Sequence, residues 1–119
     1  MGECKEFALY INEFLKECVS LETLMMLRTN LGGLLRCSKN VNVFRDLKST
    51  QLSYVNLTAC DLKNPILEKI VLALRPLRTM EKLIVADNLE LDLKALESVF
   101  RVKRIKVNFE EDMTVTFPQ

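Results

Sequence analysis

The 119-residue chain contains no histidine. That removes the side chain most often used as a general base near neutral pH, and the imidazole ligand of mixed zinc sites. Its four cysteines, Cys4, Cys18, Cys37 and Cys60, stand 14, 19 and 23 residues apart, and no two form a C-x-x-C pair. Reduced thiols in an intracellular protein are the plain reading of that spacing. A disulfide or an all-cysteine zinc site is the alternative. No Gly-rich phosphate loop and no G-x-S-x-G elbow occurs, so nucleotide chemistry and acyl transfer have no recognisable anchor. A cysteine nucleophile would lack an imidazole partner. The expectation is a protein that is not an enzyme and needs no cofactor or metal.

Charge of one sign is also missing. Lys plus Arg number 17 against 16 Asp plus Glu, a net charge of +1. Global charge therefore gives no argument for nucleic acid or for an acidic membrane surface, and any electrostatic preference must be local. Long apolar runs are absent from the first stretch, MGECKEFALYINEFLKEC, which charge interrupts every few residues. It reads neither as a signal peptide nor as a membrane span. Gly2 lacks the Ser or Thr that a myristoylation motif wants, because position 6 is Glu. These absences point to an intracellular protein, cytoplasmic or nuclear, with no membrane contact. Its oligomeric state is left open.

What the chain does have is a repeated phrase. In Leu52 to Leu62, LSYVNLTACDL, apolar residues fall at the first, fourth, sixth and eleventh positions, with Cys60 at the ninth. A similar phrase begins 28 residues later, with Met80, Leu83, Val85 and Asn88 at the first, fourth, sixth and ninth positions. Two weaker copies can be aligned: Leu21, Leu24, Met26, Thr29 and Leu31, and then Val102, Ile105 and Val107 with Glu110 in the ninth place. The starts are separated by 31, 28 and 22 residues. With 49% hydrophobic residues, a chain of this length supports one domain with its own core.

The segments around these phrases look helical. Residues 3–18 carry Phe7, Tyr10, Ile11, Phe14, Leu15 and Cys18 at three- and four-residue steps, an amphipathic helix. Asn64 suits an N-cap and Pro65 the first helical position. Leu67, Ile70, Val71 and Leu74 then form an apolar stripe, with Pro76 after its end. Asp92 is placed to cap a second helix carrying Leu93, Leu96, Val99 and Phe100. The first link holds Gly32-Gly33, Leu34, Leu35, Val41, Phe44 and Leu47, and is less regular. At the end of the chain, Ile105 to Phe109 and Met113 to Phe117 are β-prone runs around an acidic turn. A hairpin there would cover an open sheet edge.

The phrase is the pattern L-x-x-L-x-L-x-x-N/C-x-L, and strand plus full helix at about 28 residues resembles the ribonuclease-inhibitor-like subclass of leucine-rich repeats. The stretch CDLKNPILEKIVLAL, Cys60 to Leu74, is similar to that subclass's strand-to-helix half-repeat. The likeness is specific over roughly residues 47–100 and loose outside them. It implies an α/β fold: a short leucine-rich-repeat solenoid with parallel strands on a concave face and helices on a convex one. Residues 1–20 would be an N-terminal helical cap, 21–108 the repeats, and 109–119 a β-prone C-terminal cap or tail. Some relatives of this class activate GTPases, but no residue here can be matched to that activity.

Within such a strand the fourth and sixth positions face the core, and the third, fifth and seventh face outward. The outward columns are then Thr23, Tyr54, Lys82 and Arg104; Met25, Asn56, Ile84 and Lys106; and Leu27, Thr58, Ala86 and Asn108. Met25, Tyr54 and Ile84 make an apolar strip, and Lys82, Arg104 and Lys106 a basic end, with Asn56 between them. This composition suits a protein partner with an acidic segment. The expected function is an adaptor, or a subunit of a larger assembly, binding through Met25, Tyr54, Asn56, Lys82, Ile84, Arg104 and Lys106. The competing expectation is a structural subunit of a ribonucleoprotein or other large complex using its helical face. Nucleic acid would then touch only the basic C-terminal end, because Tyr54 alone is too little for a stacking platform.

Overall fold

A computed structural model of the chain describes residues 20–28 and 51–118. Within them lie five strands and two helices. In chain order these are β1 (Thr23–Met25), β2 (Tyr54–Asn56), α1 (Asn64–Leu74), β3 (Lys82–Ile84), α2 (Leu93–Val102), β4 (Asn108–Glu110) and β5 (Thr114–Thr116). The strands form one sheet in the order β1-β2-β3-β5-β4. β1, β2 and β3 are parallel, whereas β5 is antiparallel to both β3 and β4. The fold is therefore mixed α/β, with an open five-stranded sheet. The helix expected over residues 3–18, the first link, and Cys4, Cys18 and Cys37 lie outside the described residues.

The parallel strands pair in the register that the aligned phrases give. Thr23, Tyr54 and Lys82 are partners, as are Leu24, Val55 and Leu83, and Met25, Asn56 and Ile84. The middle row faces a core shared with both helices, which includes Leu52, Leu57, Leu62, Met80, Val85, Val115 and Phe117. In α1 the stripe Leu67, Ile70, Val71 and Leu74 is buried as its spacing predicts. Each such side chain contributes about 1.5–3 kcal/mol on leaving water. From α2, Leu96 and Phe100 reach the same core.

The first three phrases share one backbone device. Arg28, Ala59 and Asp87, each the eighth residue of its phrase, take positive φ of 55°, 57° and 57°. The left-handed turns at Ala59 and Asp87 lead into the buried Cys60 and Asn88, and the turns stack through Arg28 N–H to Thr58 O and Ala59 N–H to Ala86 O, both 2.9 Å. In the second and third phrases the ninth residue ties its turn to the neighbouring strand. The Cys60 thiol donates to the Met26 carbonyl. The Asn88 amide group donates to Leu57 O at 3.0 Å and Val85 O at 2.9 Å. Its carbonyl oxygen accepts from Cys60 N at 3.0 Å and Leu62 N at 2.9 Å. Asn88 is itself buried, so one side chain satisfies backbone groups that would otherwise be stranded away from water.

Two expectations about helix ends are corrected. Asn64 does not cap α1. Its side chain instead reaches across to the backbone of Asp92, donating to its carbonyl at 2.9 Å and accepting from its N–H at 3.0 Å. Lys63 occupies the cap position with no side-chain cap bond, and Pro65 in the first turn removes one donor that would need a cap. Asp92 does cap α2, accepting from Ala95 N at 3.1 Å.

The second correction is larger, because the fourth phrase is not a strand. Val102 belongs to α2 and is 83% exposed. After it, Ile105 N–H bonds Phe100 O and Arg104 N–H bonds Arg101 O, while Arg104 sits at φ 59°. This is a Schellman helix end with arginine in the place that glycine favours. The chain then passes through residues 105–107 into the expected hairpin. Its strands pair Asn108 with Thr116, Phe109 with Val115 and Glu110 with Thr114. β5 covers the edge of β3, pairing Lys82 with Thr116 and Ile84 with Thr114.

Candidate protein-binding face

Because side chains alternate along a strand, the rows flanking the core row point away from the helices. The first outward row runs Thr23, Tyr54, Lys82, Thr116 and Asn108 across the five strands, and the second Met25, Asn56, Ile84, Thr114 and Glu110. Met25 is 55% exposed, and Leu27, just past β1, is 45% exposed. Tyr54 and Ile84 are half-buried on the same face, and Lys82 is exposed. Burying large apolar side chains against helices on one face has left a second set uncovered on the other.

The polar groups on this face differ in availability. Asn56 turns its carbonyl oxygen to the Thr58 N–H at 3.0 Å and the Thr58 hydroxyl at 2.5 Å, which fixes its rotamer. Glu110, at the far edge, accepts from the Thr116 hydroxyl at 3.3 Å. Lys82 stands between Tyr54 and Thr116 with no carboxylate in its row. The face thus runs from apolar at β1, through Tyr54 and Lys82, to hydroxyl, amide and carboxylate groups at β4.

Of the residues expected on the sheet, Met25, Tyr54, Asn56, Lys82 and Ile84 are brought together. Arg104 and Lys106 are not. Arg104 sits in the turn that ends α2, and Lys106 in the following segment, both exposed. The basic end expected of the sheet is therefore reduced to Lys82, and Glu110 lies where the positive charge was expected to grow. Neighbouring cations are engaged elsewhere: Lys103 pairs with Glu68 of α1, and Arg101 with Glu97 at 2.8 Å. Asn108, expected in an outward column, lies on the far edge strand, and Glu110, Thr114 and Thr116 join the face without having been foreseen. The signal was present in the outward alternation of the two hairpin strands, once their pairing with β3 is known.

Among the described residues, no group of three His, Cys, Asp or Glu side chains is placed to hold a metal ion. No helix there is long and apolar enough to cross a membrane. Cys60 is buried, its thiol held against the Met26 carbonyl. Comparison with protein-family models, curated proteins and solved structures finds no match to this chain.

Proposed function

We propose that this chain is a protein-binding module built on a short leucine-rich-repeat stack, and that it engages its partner through the outward face of the sheet. Support for the repeat reading comes from the two ladder residues. Cys60 and Asn88, ninth in their phrases, bind the carbonyls of Met26 and Leu57, each sixth in the preceding phrase. Repeats of this kind bury their edges on one another and leave a continuous surface for a partner.

One observation carries the binding reading: Met25 and Leu27 remain exposed on a sheet whose other face is packed. With Tyr54 and Ile84 beside them, they offer an apolar and aromatic anchor region, the composition that dominates affinity at protein interfaces. Lys82 would set orientation by pairing with a partner carboxylate, and the amide donors of Asn56 would bond a partner carbonyl. The role is an adaptor or assembly subunit with no chemistry of its own.

The test is affinity capture from native-source lysate with the folded protein beside a Tyr54→Ala, Lys82→Glu variant. Stoichiometric protein partners lost only by the variant are the expected result. A variant that keeps its fold and every partner contradicts the reading, and recovery abolished by nuclease would move the function to a ribonucleoprotein.

A further inference from the structure

A concave surface adjoins the outward face at its β4 edge, between the N-terminal half of α2 and the β4–β5 turn. It consists of two adjoining hollows of about 720 and 410 Å³ that share Glu97, Phe109 and Glu110 in their walls. The larger hollow has an apolar lining of Leu91, Leu93, Phe109 and Met113, all half-buried. Leu89 stands at its rim and is 95% exposed, the most solvent-exposed large apolar side chain among the described residues. An isolated exposed leucine is unremarkable, but one at the lip of an apolar hollow of this size is placed as an anchor point.

The charge around these hollows is one-sided. Glu90, Asp92, Glu97, Glu110 and Glu111 line them, against Lys94 and Arg101. Two of the carboxylates are already matched, Glu90 by Lys63 at 3.1 Å and Glu97 by Arg101. Asp92 is held at the N-terminus of α2, Glu110 touches the Thr116 hydroxyl, and Glu111 makes no ion pair among the described residues. Three carboxylates thus face one lysine across an apolar floor. A low-dielectric wall concentrates their field, so the local potential is negative although the whole chain is close to neutral.

We propose that this groove docks a segment of a partner protein in which Lys or Arg residues flank large apolar side chains. The apolar residues would pack on Leu89, Leu93 and Met113, and the cations would pair with Glu111, Glu110 and Asp92. Charge complementarity selects this occupant: an acidic segment would meet like charge, and a purely apolar one would leave the carboxylates unmatched at the rim. The inference is independent of the reading of the sheet face, since only Asn108 and Glu110, on the edge strand, border both surfaces, and neither belongs to the apolar anchor region of the sheet.

The experiment is a titration of isotope-labelled protein with a short amphipathic leucine–lysine peptide, followed by amide NMR shifts. The leucine–glutamate peptide of the same apolar pattern is the control. Saturable shifts confined to residues 89–97 and 107–113, with the lysine peptide only, are expected. A Leu89→Ser, Glu111→Lys protein, altered at two exposed positions, should bind about tenfold more weakly or worse, as befits the loss of one anchor and the reversal of one charge. The proposal is overturned by the absence of saturable shifts, by equal binding of the glutamate peptide, by shifts centred on Tyr54 and Ile84, or by undiminished binding in the variant.

Discussion

The two ends of the sheet are held by different means. At the parallel end, β1, β2 and β3 are only three residues each, and their segments are far apart in sequence. Side chains reinforce the pairing there: Cys60 and Asn88 reach back to the previous strand, and Asn64 bridges to the backbone of Asp92. At the antiparallel end, β4 and β5 are joined by a three-residue turn, and the one side-chain bond between them among the described residues, Thr116 to Glu110, is exposed. Phe109 packs its ring against Phe100 of α2, centroids 5.7 Å apart, and Val115 enters the core. Here parallel pairing over long connections is reinforced by polar side chains, whereas the hairpin is held by its short connection.

Breaking that distinction most severely is Asn88→Ala. It strands the buried N–H groups of Cys60 and Leu62 and the Leu57 carbonyl, so a loss of about 3–4 kcal/mol is expected in denaturant unfolding. In a small domain that is a large share of total stability. Amide exchange should show Cys60 and Leu62 losing protection first. A loss below about 1 kcal/mol would mean that the ladder is dispensable.

Next in size is a pair of truncations. Leu83→Ala, fully buried at the centre of the sheet, should cost about 2–5 kcal/mol. Phe109→Ala, half-buried on the edge strand, should cost about 1–2 kcal/mol, chiefly through lost contact with Phe100. Thermal or urea unfolding of both variants ranks the two ends directly. Equal losses would erase the difference drawn between them.

Smaller, and opposite in sign, is Arg104→Gly. Arginine at φ 59° closes α2 where glycine carries no Cβ penalty, so this variant should gain about 1 kcal/mol. It should also leave sheet-face binding untouched, because Arg104 lies off the sheet. Smallest of all is Lys82→Glu, an exposed change expected to move stability by no more than about 0.5 kcal/mol while weakening partner capture. A stability loss well beyond that would show that Lys82 is structural.

What the sequence made legible follows the same division. The spacing of Leu52, Val55, Leu57 and Leu62 against Met80, Leu83 and Val85 specified the pairing of β2 and β3, because a two-residue alternation leaves one register that buries both sets. The hairpin was readable from two β-prone runs around Glu110-Glu111-Asp112. The end of α2 was not. Val102, Ile105 and Val107 alternate like a strand, but the same spacing is met by an exposed helix terminus followed by two half-buried contacts. The Schellman turn that separates these cases carries Arg104 instead of the usual glycine marker. Arg28, Ala59 and Asp87 hide their left-handed turns in the same way. Moving Arg104 and Lys106 off the sheet then changed the expected charge of the face. Asn64 misled for a related reason: a good capping residue is also a good bridge to a neighbouring backbone, and only the packed units decide between the two. The groove beside α2 was invisible because its walls come from 89–97 and 107–113, which no local pattern brings together.

A partner seated on the outward sheet face, as we propose, leaves the packed helices turned away from it. Site-specific photo-crosslinking in native-source extract tests this most directly, with the crosslinker at position 54 on the sheet or at position 69, an exposed site on α1. A discrete protein adduct from position 54 and none from position 69 is the predicted result. Adducts from position 69 alone would assign the interface to the helical face and rule out a partner on the sheet.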